Sequence, residues 1–153
     1  MIEEYLAVIS LIGRLNRQFL DVVKLELDSS GIRDTNNVQA LMLFSLGDTE
    51  VTVGELTLRG CYLGSNVSYN LKKLVENGYV EQSRSPHDRR SIHIRLTPKG
   101  LALRDRLAEM HQRHAGSLQS AITVPDLEHA VVTLRRLERF WVRVGDETRR
   151  LAA

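Results

Sequence analysis

Apolar positions recur three or four residues apart at the start of the chain: Ile2, Tyr5, Ile9, Ile12, Leu15, Phe19 and Val22. That period places them in one stripe on a helix of about seven turns. Gly31 and Asp34 interrupt the pattern. Thr35 then stands where a cap is needed for a second helix carrying Val38, Leu41, Met42 and Leu46, closed by Gly47. Thr52 and Glu55 have the spacing of a capping box and open a short helix that Gly60 stops. A further helix is expected from about Ser65 to Asn77, ended by Gly78. The period then changes to two: residues 79–84 and 91–96 read as strands, with Ile92, Ile94 and Leu96 on one face and Ser91, His93 and Arg95 on the other. Thr97 and Pro98 start a helix expected to reach about Ile122. Thr123 and Asp126, with Pro125 between them, start the last one. It carries Leu127, Ala130, Leu134, Leu137, Trp141 and Val144, a heptad seam.

Helix, short helix, Gly turn, helix and hairpin in that order make a helix-turn-helix followed by a wing. The expected fold class is mainly α with a small β-hairpin wing: a winged helix-turn-helix domain over residues 34–98, flanked by long helices over 1–33 and 99–153. The flanking stripes exceed what one small winged domain can bury. An intramolecular three-helix bundle and a two-chain assembly both satisfy that pattern.

Composition adds a constraint on the partner. The chain has 153 residues, 42% hydrophobic and 26% charged, with a formal net charge of only +2. A polyanion would therefore need locally clustered charge, which residues 84–95 supply with Arg84, Arg89, Arg90 and Arg95 against Asp88. Apolar runs are short, so neither a membrane span nor a signal peptide is expected, and a single Cys, Cys61, fits a reducing cytoplasm. No nucleophile elbow, phosphate-binding loop, dinucleotide fingerprint or zinc-protease motif occurs, so no enzyme activity, cofactor or metal is expected.

On the helix at 65–77, Val67, Leu71, Leu74 and Val75 share one face and Ser65, Asn66, Tyr69, Lys72, Lys73 and Glu76 the other. A recognition helix meets base edges with its N-terminal residues, so Ser65, Asn66 and Tyr69, with Ser68 on the flank, are the base-reading candidates. Lys72 and Lys73 lie further along and suit phosphates. A solvated helix face would look the same in isolation. In the hairpin, Arg89 and Arg90 are placed to enter a minor groove, and Asp88 to brace the tip by accepting hydrogen bonds and pairing with Arg90.

Residues 52–100 resemble the MarR family of bacterial transcription regulators, through Leu74, Gly78, Asp88, Arg90, Leu96, Thr97 and Gly100. Asn70 departs from the pattern, since many members carry an apolar residue there. The resemblance covers nearly the whole chain. It implies a homodimer in which the outer helices interlock, with Ile9, Ile12, Leu134, Leu137 and Trp141 at the contact, bound to double-stranded DNA at a pseudo-palindromic operator as a repressor. It also implies a small aromatic or phenolic effector, or thiol oxidation at Cys61, as the signal. A lone Cys is more often a buried hydrophobe. His111 and His114, spaced i, i+3, form a weak metal pair, and Arg14, Arg17 and Tyr5 could line an anion pocket. A winged dimer that binds protein and not DNA is the alternative from another class; it would show apolar residues on the recognition face.

Overall fold

The computed structural model describes residues 1–59, 64–84 and 92–152, and of residues 58, 59, 64 and 65 the backbone alone. Its elements are α1 (Ile2–Ser29), α2 (Asn37–Leu46), β1 (Val51–Thr52), α3 (Val53–Arg59), α4 (Gly64–Glu76), β2 (Val80–Arg84), β3 (Ile92–Leu96), α5 (Pro98–Leu118) and α6 (Val124–Leu151). They form two units, Met1–Met110 and His111–Ala153.

In the first unit the caps decide the helix starts. Asn36, and not Thr35, caps α2. Its side chain accepts from the Gln39 amide at 2.9 Å, while Oε1 of Gln39 accepts from the Asn36 amide at 3.2 Å. The reciprocal box joins residues three positions apart, with two residues between its ends, and Asn36, unlike Thr35, stands at that distance from Gln39. Thr52 and Glu55 make the expected box: the Thr52 amide donates to Oε2 of Glu55 at 2.7 Å, and the Glu55 amide to Oγ1 of Thr52 at 3.2 Å. Helix α4 ends at Gly78, whose φ of 75° lets its amide and that of Tyr79 reach back to the carbonyls of Val75 and Leu74.

The chain turns there into an antiparallel sheet of order β1-β3-β2. Strand β1, two residues long, is too short to show alternation in sequence. Ile94 is central, opposite both Val51 and Gln82, and is fully buried. Leu96 packs on the core edge, whereas Ile92, paired with Arg84 at the far end of the sheet, stays exposed.

One apolar cluster holds this unit together: Met42, Leu43 and Leu46 of α2, Leu56 of α3, Val67, Leu71 and Leu74 of α4, and Leu103, Leu107 and Met110 of α5. Helix α1 contributes Val23 and Leu27. Neither belongs to the stripe that the periodicity picks out. Of that stripe, Ile2, Leu15, Phe19 and Val22 remain exposed.

A polar clasp fastens the ends of three helices. Asp34, between α1 and α2, accepts from the Tyr79 hydroxyl at 2.5 Å and from Nζ of Lys99 at 2.5 Å. Lys99 also donates to the Asn77 carbonyl at 2.8 Å and lies 4.2 Å from the centroid of the Tyr79 ring. Burial works against the Asp34 charge, but the hydrogen bonds from Lys99 and Tyr79 outweigh it and hold its carboxyl below the ordinary 3.8. Burial, with Asp34 as acceptor, pushes the Tyr79 phenol up, so it remains the donor. Because the folded pKa of Asp34 is depressed, its contribution is complete above about pH 4 and is lost as pH falls through the lower folded value. Wild type should therefore melt above Asp34→Asn at neutral pH, with the gap closing as pH falls below the ordinary 3.8 through the depressed folded value. A gap constant across that range would show that the clasp holds no charge-dependent stability.

In the second unit α5 ends at Leu118, four residues short of the expected Ile122. The Ser117 and Ser120 hydroxyls bond to the carbonyls of Arg113 and Ser117, an alternative to continuing the helix. Helix α6 starts at the Thr123–Asp126 box, with the Thr123 amide donating to Oδ2 of Asp126 at 3.0 Å. None of its residues is buried, and Leu127, Leu134, Phe140, Trp141 and Val144 are exposed.

Candidate nucleic-acid interface

Helix α4 has two contrasting faces. Val67, Leu71 and Leu74 are buried, and Val75 packs against the core. Asn66, Ser68, Tyr69, Lys72 and Glu76 face solvent. Tyr69 is 60% exposed, one turn from the helix start and beside Asn66. Ser65 belongs to the helix, but its side chain lies outside the description.

The two lysines differ from the sequence expectation in one respect. Nζ of Lys73 lies 2.8 Å and Nζ of Lys72 3.8 Å from the Glu76 carboxylate. The hydrogen bond between Lys73 and Glu76 lowers the Glu76 carboxyl and raises the Lys73 ammonium. All three side chains are well exposed, so these pairs are weak and a phosphate can replace the carboxylate. Glu76 was legible as a neighbour at i+3 and i+4 of these lysines, spacings at which opposite charges meet on a helix.

Asn70, the departure from the family pattern, is buried at 6% exposure beside Gln39 of α2 at 5%. Its Oδ1 accepts from Nε2 of Gln39 at 3.3 Å, and its Nδ2 donates to the Asn66 carbonyl at 2.8 Å. Sequence reasoning missed Gln39, because nothing in the local pattern of α2 announces a polar partner one helix away.

The described arms of the wing carry mixed charge. Arg95 of β3 is bound to the Glu81 carboxylate of β2. Glu50 accepts from the Ser83 hydroxyl at 3.1 Å and lies 3.6 Å from Nδ1 of His93. Arg84, exposed at the end of β2, leads toward the tip. Asp88, Arg89, Arg90 and Cys61 lie outside the described residues.

Among the outer-helix candidates, Ile9, Ile12 and Leu137 are half-buried, while Leu134 (47%) and Trp141 (38%) are exposed. Burial, with His114 adding to it, holds His111 below its ordinary pKa. Among the described residues no three His, Cys, Asp or Glu side chains gather in a metal-binding group. No helix among them is long and apolar enough to cross a membrane.

A helix-turn-helix with a sheet-based wing, and a second helix whose polar face stands clear of the core, defines a winged helix DNA-binding protein. A model described as a winged helix DNA-binding domain matches residues 36–100. The exopolysaccharide II synthesis transcriptional activator ExpG of Rhizobium meliloti is 37% identical over 142 residues, 90% of this chain and 71% of that protein. A mutant of MarR from E. coli, solved in complex with operator DNA, superposes with a TM-score of 0.72 at 20% identity, over 90% of this chain and 97% of that one. Bordetella bronchiseptica BpsR, whose structure concerns regulation of DNA binding by 6-hydroxynicotinic acid, gives 0.70 at 18% identity over 86% and 98%. The chain belongs to the MarR family of winged helix-turn-helix transcriptional regulators. That family is one of DNA-binding regulators and not of enzymes.

Proposed function

We propose that the chain regulates transcription as a homodimer, reading a pseudo-palindromic operator with α4 while the wing tips enter the flanking minor grooves. The observation that carries this reading is the division of α4: one side wholly in the core, the other presenting Asn66, Ser68, Tyr69 and Lys72 to solvent. Ser65, Asn66, Ser68 and Tyr69 read bases, and Lys72 and Lys73 exchange Glu76 for phosphates. Arg89 and Arg90 enter the minor groove, with Asp88 holding the tip. Residues 1–33 and 99–153 supply the dimer contact and 34–98 the DNA-binding part. The exposed stripe of α1 and the unburied α6 support a second copy as the missing cover for that apolar surface.

The proposed signal is a small aromatic or phenolic effector. A cleft of about 320 Å³ between the end of α1 and the start of α2, lined by Leu27 and Ile32 with Lys24, Asp28, Arg33, Thr35, Asn36 and Asn37, supports a seat for it. Repression follows where the operator overlaps a promoter and activation where it lies upstream, so operator position decides the direction. The activator ExpG is consistent with the second arrangement. The working compartment is the one that holds the chromosome, the cytoplasm, and no catalysis, metal or cofactor is invoked.

Selection of bound sequences from random duplexes by the purified protein tests the reading, and a two-fold symmetric motif is expected. A protein-binding winged module would yield no motif. On the selected site, Asn66→Ala or Tyr69→Ala should cost about 1–3 kcal/mol and relax preference at one or two positions per half-site. An equal loss on every sequence would reassign both residues to the DNA backbone.

A further inference from the structure

A core helix contact needs no hydrogen bond to be stable, and α2 packs on α4 largely through apolar side chains. Gln39 and Asn70 are the two buried polar side chains among the described residues, and they bond to each other across that contact at 3.3 Å. The remaining groups of each amide are engaged too. Oε1 of Gln39 accepts from the Asn36 amide and the Thr35 hydroxyl, both at 3.2 Å, which ties it to the cap of α2. Nδ2 of Asn70 donates to the carbonyl of Asn66, one turn back on α4. The α2 start is in turn anchored to α1, where Nδ2 of Asn37 donates to the Leu20 carbonyl at 2.9 Å.

The hydrophobic driving force is non-directional, whereas an amide hydrogen bond is directional and weakens steeply when misaligned, so it adds an angular constraint to the packing. We infer that Gln39 and Asn70 are positioning residues: they set the rotation of α4 relative to α2, and so aim Asn66 and Tyr69 at the base edges. The link ends on the Asn66 backbone itself, and Tyr69 directly precedes Asn70 in the chain. A rotation that breaks the Gln39–Asn70 bond would displace both reading side chains sideways across the groove. This inference rests on the proposed role of α4 in reading DNA.

The test replaces both partners at once. Asn70→Leu or Gln39→Leu alone leaves a buried amide unsatisfied, and any loss would mix stability with aim. In the double variant Gln39→Leu with Asn70→Leu neither amide remains, so the melting temperature should fall by only a few degrees, the cost of the bond from the Asn36 amide that Gln39 also accepts at the start of α2. The full-length protein is measured at fixed salt on its selected operator and on a scrambled duplex of equal length. The expected result is a fall of about tenfold or more in the ratio of the two affinities, mostly from the operator side. If circular dichroism shows the double variant unfolded, Gln39→Met with Asn70→Ala, which again removes both amides and adds less bulk, is measured in its stead with the same expectation. A folded variant that keeps the wild-type ratio overturns the positioning role and leaves the pair as core packing. A wild type that does not itself discriminate the two duplexes defeats the DNA-reading proposal instead, so the two failures are distinct.

Discussion

Leu137→Arg should convert the protein to a monomer or an unfolded chain and reduce operator affinity by about a hundredfold or more. Leu137 sits in the heptad seam of α6, a helix that buries none of its own residues within the chain, although Leu134 and Trp141 flank it one turn to either side. In a two-fold contact the substitution enters twice, each copy placing an unpaired guanidinium in an apolar seam at several kcal/mol. A monomer keeps one recognition helix and one wing, so it loses the gain that comes from tethering two half-site contacts together. Sedimentation velocity and operator titration at one salt concentration check it. A variant that sediments and binds as wild type does would mean that the dimer contact lies elsewhere than this seam.

Gly100→Ala should destabilise the fold by about 3 kcal/mol, against the direction that helix propensity gives. Gly100 lies in the first turn of α5, where alanine is ordinarily better by about 1 kcal/mol. A Cβ there would collide with the carbonyl oxygen of Tyr79 and meet Cβ of Leu96 at 3.4 Å. The oxygen cannot step aside cheaply, because it accepts the Thr97 amide at 3.0 Å. Thr97 in addition donates its hydroxyl to the Gly78 carbonyl at 2.6 Å while accepting from the Gly100 amide at 3.1 Å. The close approach lets α5 start directly over the turn that ends α4. Urea unfolding measures the change; equal or raised stability would show that the backbone yields without cost and that Gly100 is not held by contact.

Every long helix was legible, because an apolar period of 3.6 and its caps are local properties. The Thr52–Glu55 and Thr123–Asp126 boxes bond as their spacing requires. The cap of α2 was misplaced by one residue because Thr35 and Asn36 are both good caps, and only the distance to Gln39 separates them. The outward face of α4 was legible for the same reason as its helix: periodicity sorts Val67, Leu71 and Leu74 from Asn66 and Tyr69 without knowledge of what they pack against.

The sequence by itself therefore determined which segments are helical, which segments form the arms of the wing and which face of α4 stays outside the core. The tertiary structure decided what periodicity cannot express. It showed that α1 enters the core through Val23 and Leu27 and leaves its most regular stripe outside. It paired β1 with β3, brought Gln39 to Asn70 across 31 positions and set Asp34, Tyr79 and Lys99 in one clasp. A hydrogen-bond partner distant in the chain leaves no periodic trace, and a stripe reads alike whether its own chain or a second copy covers it. Such pairings depend on where whole helices come to rest, and that is settled only when the core packs.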